Sequence, residues 1–224
     1  APVVFSAPAA VCGTAVGLAL HSQCLVVTEL TRLSLPGAAH GAVPESLASH
    51  HLARLPGHLG RYLVLTGAAL TGAELHALGL ASHLTESHAL ARLADIISET
   101  RGRSDRRLER MLDAACMRPP AEASWSDDTA LAFGAQIDDC FGRATVREIL
   151  SALDEGGSEW HAAAAERLRA SSPLALELSF AALERAKRSG CWAHTLRADV
   201  RLATNCLDLA DCATGAHGLD VALE

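Results

Sequence analysis

Short runs of β-branched and large apolar residues alternate with helical patterns over the first hundred residues of the chain. Residues 2–5 (PVVF), 24–28 (CLVVT) and 32–35 (RLSL) have the composition of buried strands. A helical pattern at 13–23 starts just after a glycine turn. Because strands that alternate with helices are typical of a parallel sheet with crossover helices, we predict an α/β core for residues 1–100.

Helical periodicity and capping signals predict the remaining elements. Residues 71–79 start with Thr71 and Glu74, the spacing of a capping box, and end at Gly79. The other predicted helices lie at 58–67, 87–99, 129–141, 145–153, 158–170, 172–190 and 191–210. The last of them is predicted to bury an apolar stripe of Leu196, Val200, Ala203 and Leu207.

The strand signals end near residue 100, which divides the sequence into three parts. Residues 1–100 form a partial α/β core, 101–128 a helix and connector, and 129–224 a helical C-terminal region. The connector is marked by the polar, proline-bearing stretch 118–128 (RPPAEASWSDD). The chain opens directly on an apolar run, so we expect further sequence to precede it.

Composition and charge exclude some classes of function without identifying one. Half of the 224 residues are apolar but only 4% are aromatic, which favours closely packed helices over a β-sandwich. The formal charge of −7 argues against direct nucleic-acid binding, which needs clustered Lys and Arg. The seven cysteines form no C-x-x-C pair, so we expect buried thiols and no metal site. No apolar run is long enough to span a membrane.

Several segments together resemble one known superfamily. Residues 2–29 (PVVFSAPAAVCGTAVGLALHSQCLVVTE) resemble the core signature of the crotonase, or enoyl-CoA hydratase/isomerase, superfamily. Segments similar to 3-hydroxyisobutyryl-CoA hydrolases lie at 35–45 (LPGAAHGAVPE), 52–67, 79–84, 137–153, 171–183 and 212–223. The resemblance covers nearly the whole chain. It implies a crotonase-like (ClpP/crotonase) core that lacks its N-terminal part, followed by a helical C-terminal region.

The resemblance also implies how a coenzyme A thioester, as substrate or ligand, would be held. Members of the superfamily place the thioester oxygen between two backbone N–H donors, which stabilise the charge that develops during reaction. The second donor belongs to a turn of three glycines, where this chain has Gly13, Thr14 and Ala15. The donor is then the Thr14 amide, with a narrower approach because Thr14 and Ala15 carry side chains. No cofactor or metal is implied.

The carboxylates that the resemblance implies are largely missing. Hydratases carry one acid/base glutamate at the position of Gly17, where hydrolases of this group also have glycine. A second glutamate, which the hydrolases share, falls at Gly37, where no side chain is present to transfer a proton. An aspartate added by the hydrolases corresponds to Glu45, which keeps the charge on a longer side chain. Glu45 is therefore either a candidate catalytic carboxylate or a solvated loop residue.

Two histidines are alternative candidates for a base. His40 lies three residues beyond the lost carboxylate, and no partner that would orient its ring is evident in the sequence. His21 matches a histidine of the family pattern and is expected to be structural.

These observations leave three hypotheses for the function. The chain is either a degenerate, non-catalytic hydrolase-like subunit of a mitochondrial assembly such as the small subunit of the mitochondrial ribosome, an active acyl-CoA thioester hydrolase of valine catabolism, or a non-catalytic acyl-CoA binder. The missing carboxylate at Gly37 favours the first. The mitochondrial location is implied by the resemblance alone.

We also expect partners to complete the sheet. Either other proteins of a large assembly or a separate N-terminal piece would cover Val3, Phe5, Val26 and Val27, which otherwise form an exposed edge and a bare apolar face. No membrane contact is predicted.

Overall fold

The structure is a computed structural model that describes residues 3–99, 105–116 and 129–210. The predicted connector at 118–128, Cys212 and the side chain of Leu207 lie outside the described residues. Contacts between Cα atoms divide the chain into two compact units that interleave along the sequence. The first unit comprises the described residues of 1–11, 19–33 and 70–132, and the second those of 12–18, 34–69 and 133–224. The division at residues 100 and 128 stays a prediction.

Strands and helices are interspersed up to residue 85, and the described elements that follow are all helical. The strands are β1 (Val4–Ala7), β2 (Ala10–Cys12), β3 (Cys24–Thr28), β4 (Arg32–Ser34), β5 (Leu70–Thr71) and β6 (His83–Thr85). The helices are α1 (Thr14–His21), α2 (Ala48–Leu52), α3 (Leu59–Thr66), α4 (Gly72–Ala77), α5 (Leu90–Glu99), α6 (Asp105–Ala115), α7 (Gly134–Phe141), α8 (Val146–Glu155), α9 (Glu159–Arg169), α10 (Pro173–Ser189) and α11 (Trp192–Ala210). Short 3₁₀ helices lie at Pro36–His40, Ser87–Ala89 and Ala130–Phe133.

The first unit is built on a parallel sheet in which β3 lies between β1 and β6. All residues of β3 and β6 are buried, as expected for parallel strands that are covered on both faces. An apolar cluster against this sheet comprises Cys24, Val26, Leu93, Leu108 and Leu112. Helix α4 begins with the predicted capping box, in which the Thr71 hydroxyl accepts from Glu74 N and Glu74 accepts from Thr71 N. The predicted parallel α/β core is confirmed.

The prediction for residues 32–35 is right about the strand and wrong about its sheet. β4 pairs antiparallel with β5, with Leu33 opposite Leu70, in a second sheet of order β2-β4-β5. Arg32 is exposed and Leu33 is buried, the alternation of a strand with one solvated face. A short apolar run does not by itself reveal the direction of its partner.

The face around Val26 and Val27 is covered within the first unit. Val26 and Val27 are 1% and 0% exposed, because helix α4 contacts β3 and the apolar cluster of α5 and α6 packs against Val26. The expectation that this face is bare is therefore wrong. Val3 is 61% exposed and Phe5 is partly buried, and among the described residues β1 pairs with β3 alone.

The second unit is helical and centred on α10, which contacts α2, α3, α8 and α11. Ser172 caps the start of α10, Pro173 occupies its first turn, and Gly190 ends it in a left-handed conformation, as the sequence predicts. The rings of Tyr62, Phe133, Phe141 and Trp160 pack together between α3, α7 and α9.

The predicted apolar stripe of α11 is wrong. Val200 is 59% exposed and Leu196 is only partly buried, whereas Thr195, Asp199 and Leu202 are buried. The pattern fails because polar residues occupy the inner face of this helix, including a carboxylate. That carboxylate reaches the loop of the candidate site.

Burial differs among the described cysteines. Cys24 and Cys140 are buried thiols as expected, but Cys12 is exposed. In the part of the chain that the structure describes, no group of three or more His, Cys, Asp or Glu residues is arranged to hold a metal ion. Over the same residues, no helix has both the length and the apolarity needed to cross a membrane.

Candidate functional site

The turn at residues 13–15 lies at the N-terminus of α1, where the resemblance places a backbone donor. Gly13 has a φ of +60°, a left-handed conformation that glycine adopts without strain. Its carbonyl accepts a hydrogen bond of 3.0 Å from Val16 N. Helix α1 begins at Thr14, so the Thr14 N–H belongs to the first turn, whose N–H groups have no acceptor within the helix. The backbone of this turn is therefore compatible with a donor at the Thr14 N–H, and that role stays a prediction.

Glu45 lies against this turn. The Thr14 hydroxyl donates a short hydrogen bond to Glu45 Oε1, across 31 positions of sequence. Glu45 is partly buried and is not a fully solvated loop residue. The fold therefore brings two of the predicted site residues into direct contact.

A cavity of about 60 Å³ is lined by Glu45 and by Gly13, the residue before Thr14. Its apolar wall includes Leu35, Val43 and Val64, and Glu45 and Ser179 supply polar side chains. A single water needs only about 10–15 Å³, so the cavity has room for a group of a few non-hydrogen atoms. We refer to this space, together with Gly13 and Gly37 on its wall, as the Glu45 cavity.

Gly37 lies on the wall of the Glu45 cavity without a side chain. It belongs to the 3₁₀ helix Pro36–His40, which starts with proline and ends at Gly41 in a left-handed conformation. Its carbonyl accepts a hydrogen bond of 2.8 Å from Ala42 N, and a Cβ at Gly37 would lie 3.2 Å from the Ala42 carbonyl oxygen. The loop therefore passes beside the cavity with no side chain at this position, which leaves little space for a larger residue.

Gly17 is closed to any side chain. A Cβ at this position would lie 2.0 Å from the carbonyl oxygen of Ser46, which is far inside van der Waals contact. The loop that carries Glu45 therefore rests directly on α1. A carboxylate at position 17, as the resemblance implies for hydratases, does not fit this arrangement.

The next residues of the loop have an uncommon backbone conformation. Ser46 and Leu47 have φ values of 55° and 70°, in the left-handed region that non-glycine residues rarely adopt. Such residues cost about 1–3 kcal/mol each and persist where the surroundings hold them. Here Leu47 N donates to Asp199 Oδ2 at 3.0 Å, and the Ser49 hydroxyl donates to Asp199 Oδ1 at 2.9 Å. Hydrogen bonds to a carboxylate are stronger than those between neutral groups, so Asp199 anchors the loop.

The protonation of Asp199 is sensitive to this environment. Burial raises the pKa of Asp199 to about 6, the hydrogen bonds from Ser49 and Leu47 lower it, and the negative charge of Glu45 raises it. The electrostatics of the loop anchor and of the cavity are therefore coupled.

The two histidines considered as alternative bases lie away from the cavity wall. His40 is exposed at the end of its 3₁₀ helix, and His21 is exposed at the end of α1. Neither belongs to the lining of the Glu45 cavity.

Sequence reasoning missed two polar residues of this region, Ser179 and Asp199. Both are buried within helices that the sequence predicts correctly. Ser179 follows buried Ala175 by four residues and precedes buried Leu183 by four, so it occupies the inner stripe of α10. A polar residue in an apolar stripe at helical spacing is the signal that would have found it.

The sequence comparisons agree with one family. Residues 1–221 match the model of the enoyl-CoA hydratase/isomerase family. The 3-hydroxyisobutyryl-CoA hydrolase 1 of Arabidopsis thaliana is 33% identical over 184 residues, which are 80% of this chain and 48% of that protein. The mitochondrial 3-hydroxyisobutyryl-CoA hydrolase of Danio rerio is 28% identical over 211 residues, which are 92% and 54% of the two chains. The chain thus spans about half the length of these relatives.

Solved structures show the same fold. A carnitinyl-CoA dehydratase from Mycobacterium thermoresistibile superposes with a TM-score of 0.83 at 23% identity, over 100% of this chain and 68% of the other. An enoyl-CoA hydratase from Rhodobacter sphaeroides gives 0.75 at 24% identity, over 99% and 68%. The crotonase-like fold and the match over residues 1–221 lead to one conclusion: the chain belongs to the enoyl-CoA hydratase/isomerase family.

Proposed function

We propose that the chain is a degenerate 3-hydroxyisobutyryl-CoA hydrolase-like protein that holds an acyl-CoA thioester at the Glu45 cavity and does not hydrolyse it. The observation that carries the proposal is Gly37, which lies on the cavity wall where the hydrolases are expected to have a carboxylate. A positioned acid or base typically contributes about 10²–10⁴-fold to the rate, and glycine contributes nothing in that role.

The remaining groups support binding better than catalysis. The Thr14 N–H lies in the first turn of α1, next to Gly13 of the cavity wall, and is the donor that we propose for a thioester oxygen. Glu45 Oε1 already accepts a hydrogen bond from the Thr14 hydroxyl, so this oxygen is engaged in holding the loop against the turn. The apolar wall of the cavity favours a short acyl group.

Hydratase chemistry is disfavoured for a separate reason. It uses two carboxylates, and both positions where the resemblance places them are glycines. At Gly17 the Ser46 carbonyl occupies the space that a side chain would need. The site therefore lacks both groups that would transfer protons to and from a double bond.

Binding can be tested with coenzyme A and a hydrolysis-resistant thioether analogue of isobutyryl-CoA, measured by calorimetry. Val43→Trp fills the cavity, and Val200→Trp, at an exposed position of α11, is the matched control. We expect saturable binding to the wild type and to Val200→Trp, and at least a tenfold loss in Val43→Trp, equivalent to about 1.4 kcal/mol. Absence of saturable binding to the wild type, or equal binding by both variants, would contradict the proposal.

A second candidate is a structural subunit of a mitochondrial assembly, such as the small subunit of the mitochondrial ribosome. It is favoured by β1, which among the described residues pairs only with β3 and so offers its other edge to a partner. The proposed location agrees with the vertebrate relatives, which are named as mitochondrial proteins. Co-sedimentation of the chain with purified mitochondrial small subunits would support this role, and its absence from that fraction would count against it.

A further inference from the structure

The hydroxyl of Ser179 is buried and has no hydrogen-bond partner among the described residues. The residue is 1% exposed and lies between Leu178 and Phe180 in the middle of α10. A buried polar group without a partner is unfavourable and uncommon, so each one calls for a physical explanation.

Two other buried hydroxyls in helices make a local hydrogen bond. Thr66 donates to the Tyr62 carbonyl at 2.6 Å, and Thr195 donates to the Cys191 carbonyl at 3.2 Å. This bond to the carbonyl four residues earlier is the usual solution for Ser and Thr in a helix. Ser179 does not make it.

Ser179 is also part of the wall of the Glu45 cavity. The space it borders is otherwise lined largely by apolar residues and backbone, with Glu45 as the second polar side chain. One oxygen of Glu45 is engaged by Thr14, which leaves Oε2 for a ligand. The cavity therefore combines a small apolar volume with an unused hydroxyl and a carboxylate oxygen.

We propose that Ser179 is a specificity-determining residue whose hydroxyl binds a hydroxyl substituent on the short acyl group of a coenzyme A thioester. This inference rests on the proposed binding function. A neutral hydroxyl accepts from Ser179 while it donates to Glu45, because it is both a donor and an acceptor. A carboxylate substituent is excluded by repulsion from Glu45 and from the nearby Asp199, and a plain acyl group leaves the serine without a partner.

The test compares 3-hydroxyisobutyryl-CoA with isobutyryl-CoA, which differ by one hydroxyl, in calorimetric titrations of the full chain. The variant is Ser179→Ala, and the control is Ser189→Ala, another serine of α10, at its C-terminal end. In the wild type and in Ser189→Ala, the hydroxylated thioester should bind about fivefold to tenfold more tightly, the usual strength of one hydrogen bond. In Ser179→Ala the ratio of the two dissociation constants should fall to about one.

Thermal unfolding separates this role from a structural one. Because the Ser179 hydroxyl has no partner in the free protein, Ser179→Ala should melt at the wild-type temperature or above it. An unchanged ratio of dissociation constants in Ser179→Ala, as expected if the hydroxyl merely holds a water, would overturn this inference alone. A lowered melting temperature in Ser179→Ala would overturn it as well, since the hydroxyl would then serve the fold. If the wild type bound neither thioester, the proposed function would fail together with it.

Discussion

At the scale of single residues, two glycines shape the Glu45 cavity and its loop because they have no Cβ atom. Gly37 has no Cβ on the cavity wall, and Gly17 has none where the Ser46 carbonyl rests on α1. On the proposed function, the first absence leaves the site without the proton-transferring carboxylate that the resemblance places at Gly37, whereas the second allows the loop of Glu45 to approach the helix. Two glycines that look alike in the sequence thus have different physical roles.

The close approach at Gly17 predicts an unusual response to alanine. Alanine normally stabilises a helix relative to glycine by about 0.5–1 kcal/mol. In Gly17→Ala the new Cβ would meet the Ser46 oxygen at 2.0 Å, so we expect a loss of about 2–3 kcal/mol in the free energy of unfolding. Urea denaturation measures this value. Gly134→Ala is the matched control, because a Cβ at the start of α7 meets no atom within 4 Å and should be neutral or stabilising.

Introducing a carboxylate at position 37 should not produce hydrolase activity. In Gly37→Glu the Cβ would lie 3.2 Å from the Ala42 carbonyl oxygen, and the new charge would enter a cavity that already holds Glu45. Groups that act together in catalysis are not restored one at a time. We expect hydrolysis of 3-hydroxyisobutyryl-CoA by a folded Gly37→Glu variant to stay at background. Strong turnover would show that the rest of the catalytic site is intact.

Thr14, Gly37 and Glu45 were selected as candidates because each falls within a recognisable stretch of the family pattern, and their roles stay predictions. It did not show that the Thr14 hydroxyl binds Glu45, since that bond depends on how the loop folds onto α1. Ser179 was missed although its place in the apolar stripe of α10 was a usable signal, whereas Asp199 was missed because the inner face of α11 depends on partners distant in sequence.

At the scale of elements, the site depends on how α11 holds the loop before α2. Asp199 of α11 accepts hydrogen bonds from Leu47 N and from the Ser49 hydroxyl. Ser46 and Leu47 are thereby held in left-handed conformations immediately after Glu45. The position of Glu45 is thus controlled by a residue about 150 positions further along the chain.

This anchor predicts a dependence of stability on pH. The pKa of Asp199 is about 6 in the folded protein against an ordinary value of 3.8, so the folded state binds the proton more tightly than the unfolded chain. The contribution of Asp199 to the free energy of unfolding is therefore fully present below about pH 4 and falls as the pH rises to about 6. At about 1.4 kcal/mol for each pKa unit, the loss is up to about 3 kcal/mol.

Comparison with Asp199→Asn isolates that contribution, because the amide does not titrate. The free energy of unfolding of the wild type minus that of the variant should decrease by up to about 3 kcal/mol between about pH 4 and pH 7. Urea denaturation at a series of pH values measures it. Parallel curves for the two proteins would contradict the raised pKa of Asp199.

The elements themselves were largely accessible from the sequence, since capping residues and periodicity depend on local contacts. Thr71, Ser172 and Gly190 mark helix ends as expected. The pairing of β4 with β5 and the inward face of α11 were not accessible, because both depend on partners distant in sequence. For this reason the resemblance, which carries information about the whole fold, was more informative than any single run of residues.

At the scale of the whole molecule, the edge of the parallel sheet is the feature that invites a partner. Among the described residues β1 is paired on one side only, and the neighbouring Val3 is 61% exposed. An unprotected strand edge with exposed apolar residues promotes association with other chains. The chain, purified alone, is therefore expected to self-associate as its concentration rises.

A charge beside this edge should reduce that association. Val3→Lys places a cation next to β1, and Leu30→Lys is a matched control, because Leu30 is 57% exposed and lies in the turn after β3. Light scattering coupled to size exclusion should show a smaller average mass for Val3→Lys than for Leu30→Lys at equal concentration. Equal masses, or a wild type that stays monomeric throughout, would refute the role of this edge.

The most direct test of the account is hydrolysis of 3-hydroxyisobutyryl-CoA by the wild-type chain, under conditions in which calorimetry shows the ligand bound. Released coenzyme A should be separated by chromatography, because the exposed Cys12 would react with a thiol reagent. We predict release at the rate measured without protein, since Gly37 supplies no acid or base. Turnover well above that rate, and its loss in Glu45→Gln, would contradict the account and establish Glu45 as a catalytic residue.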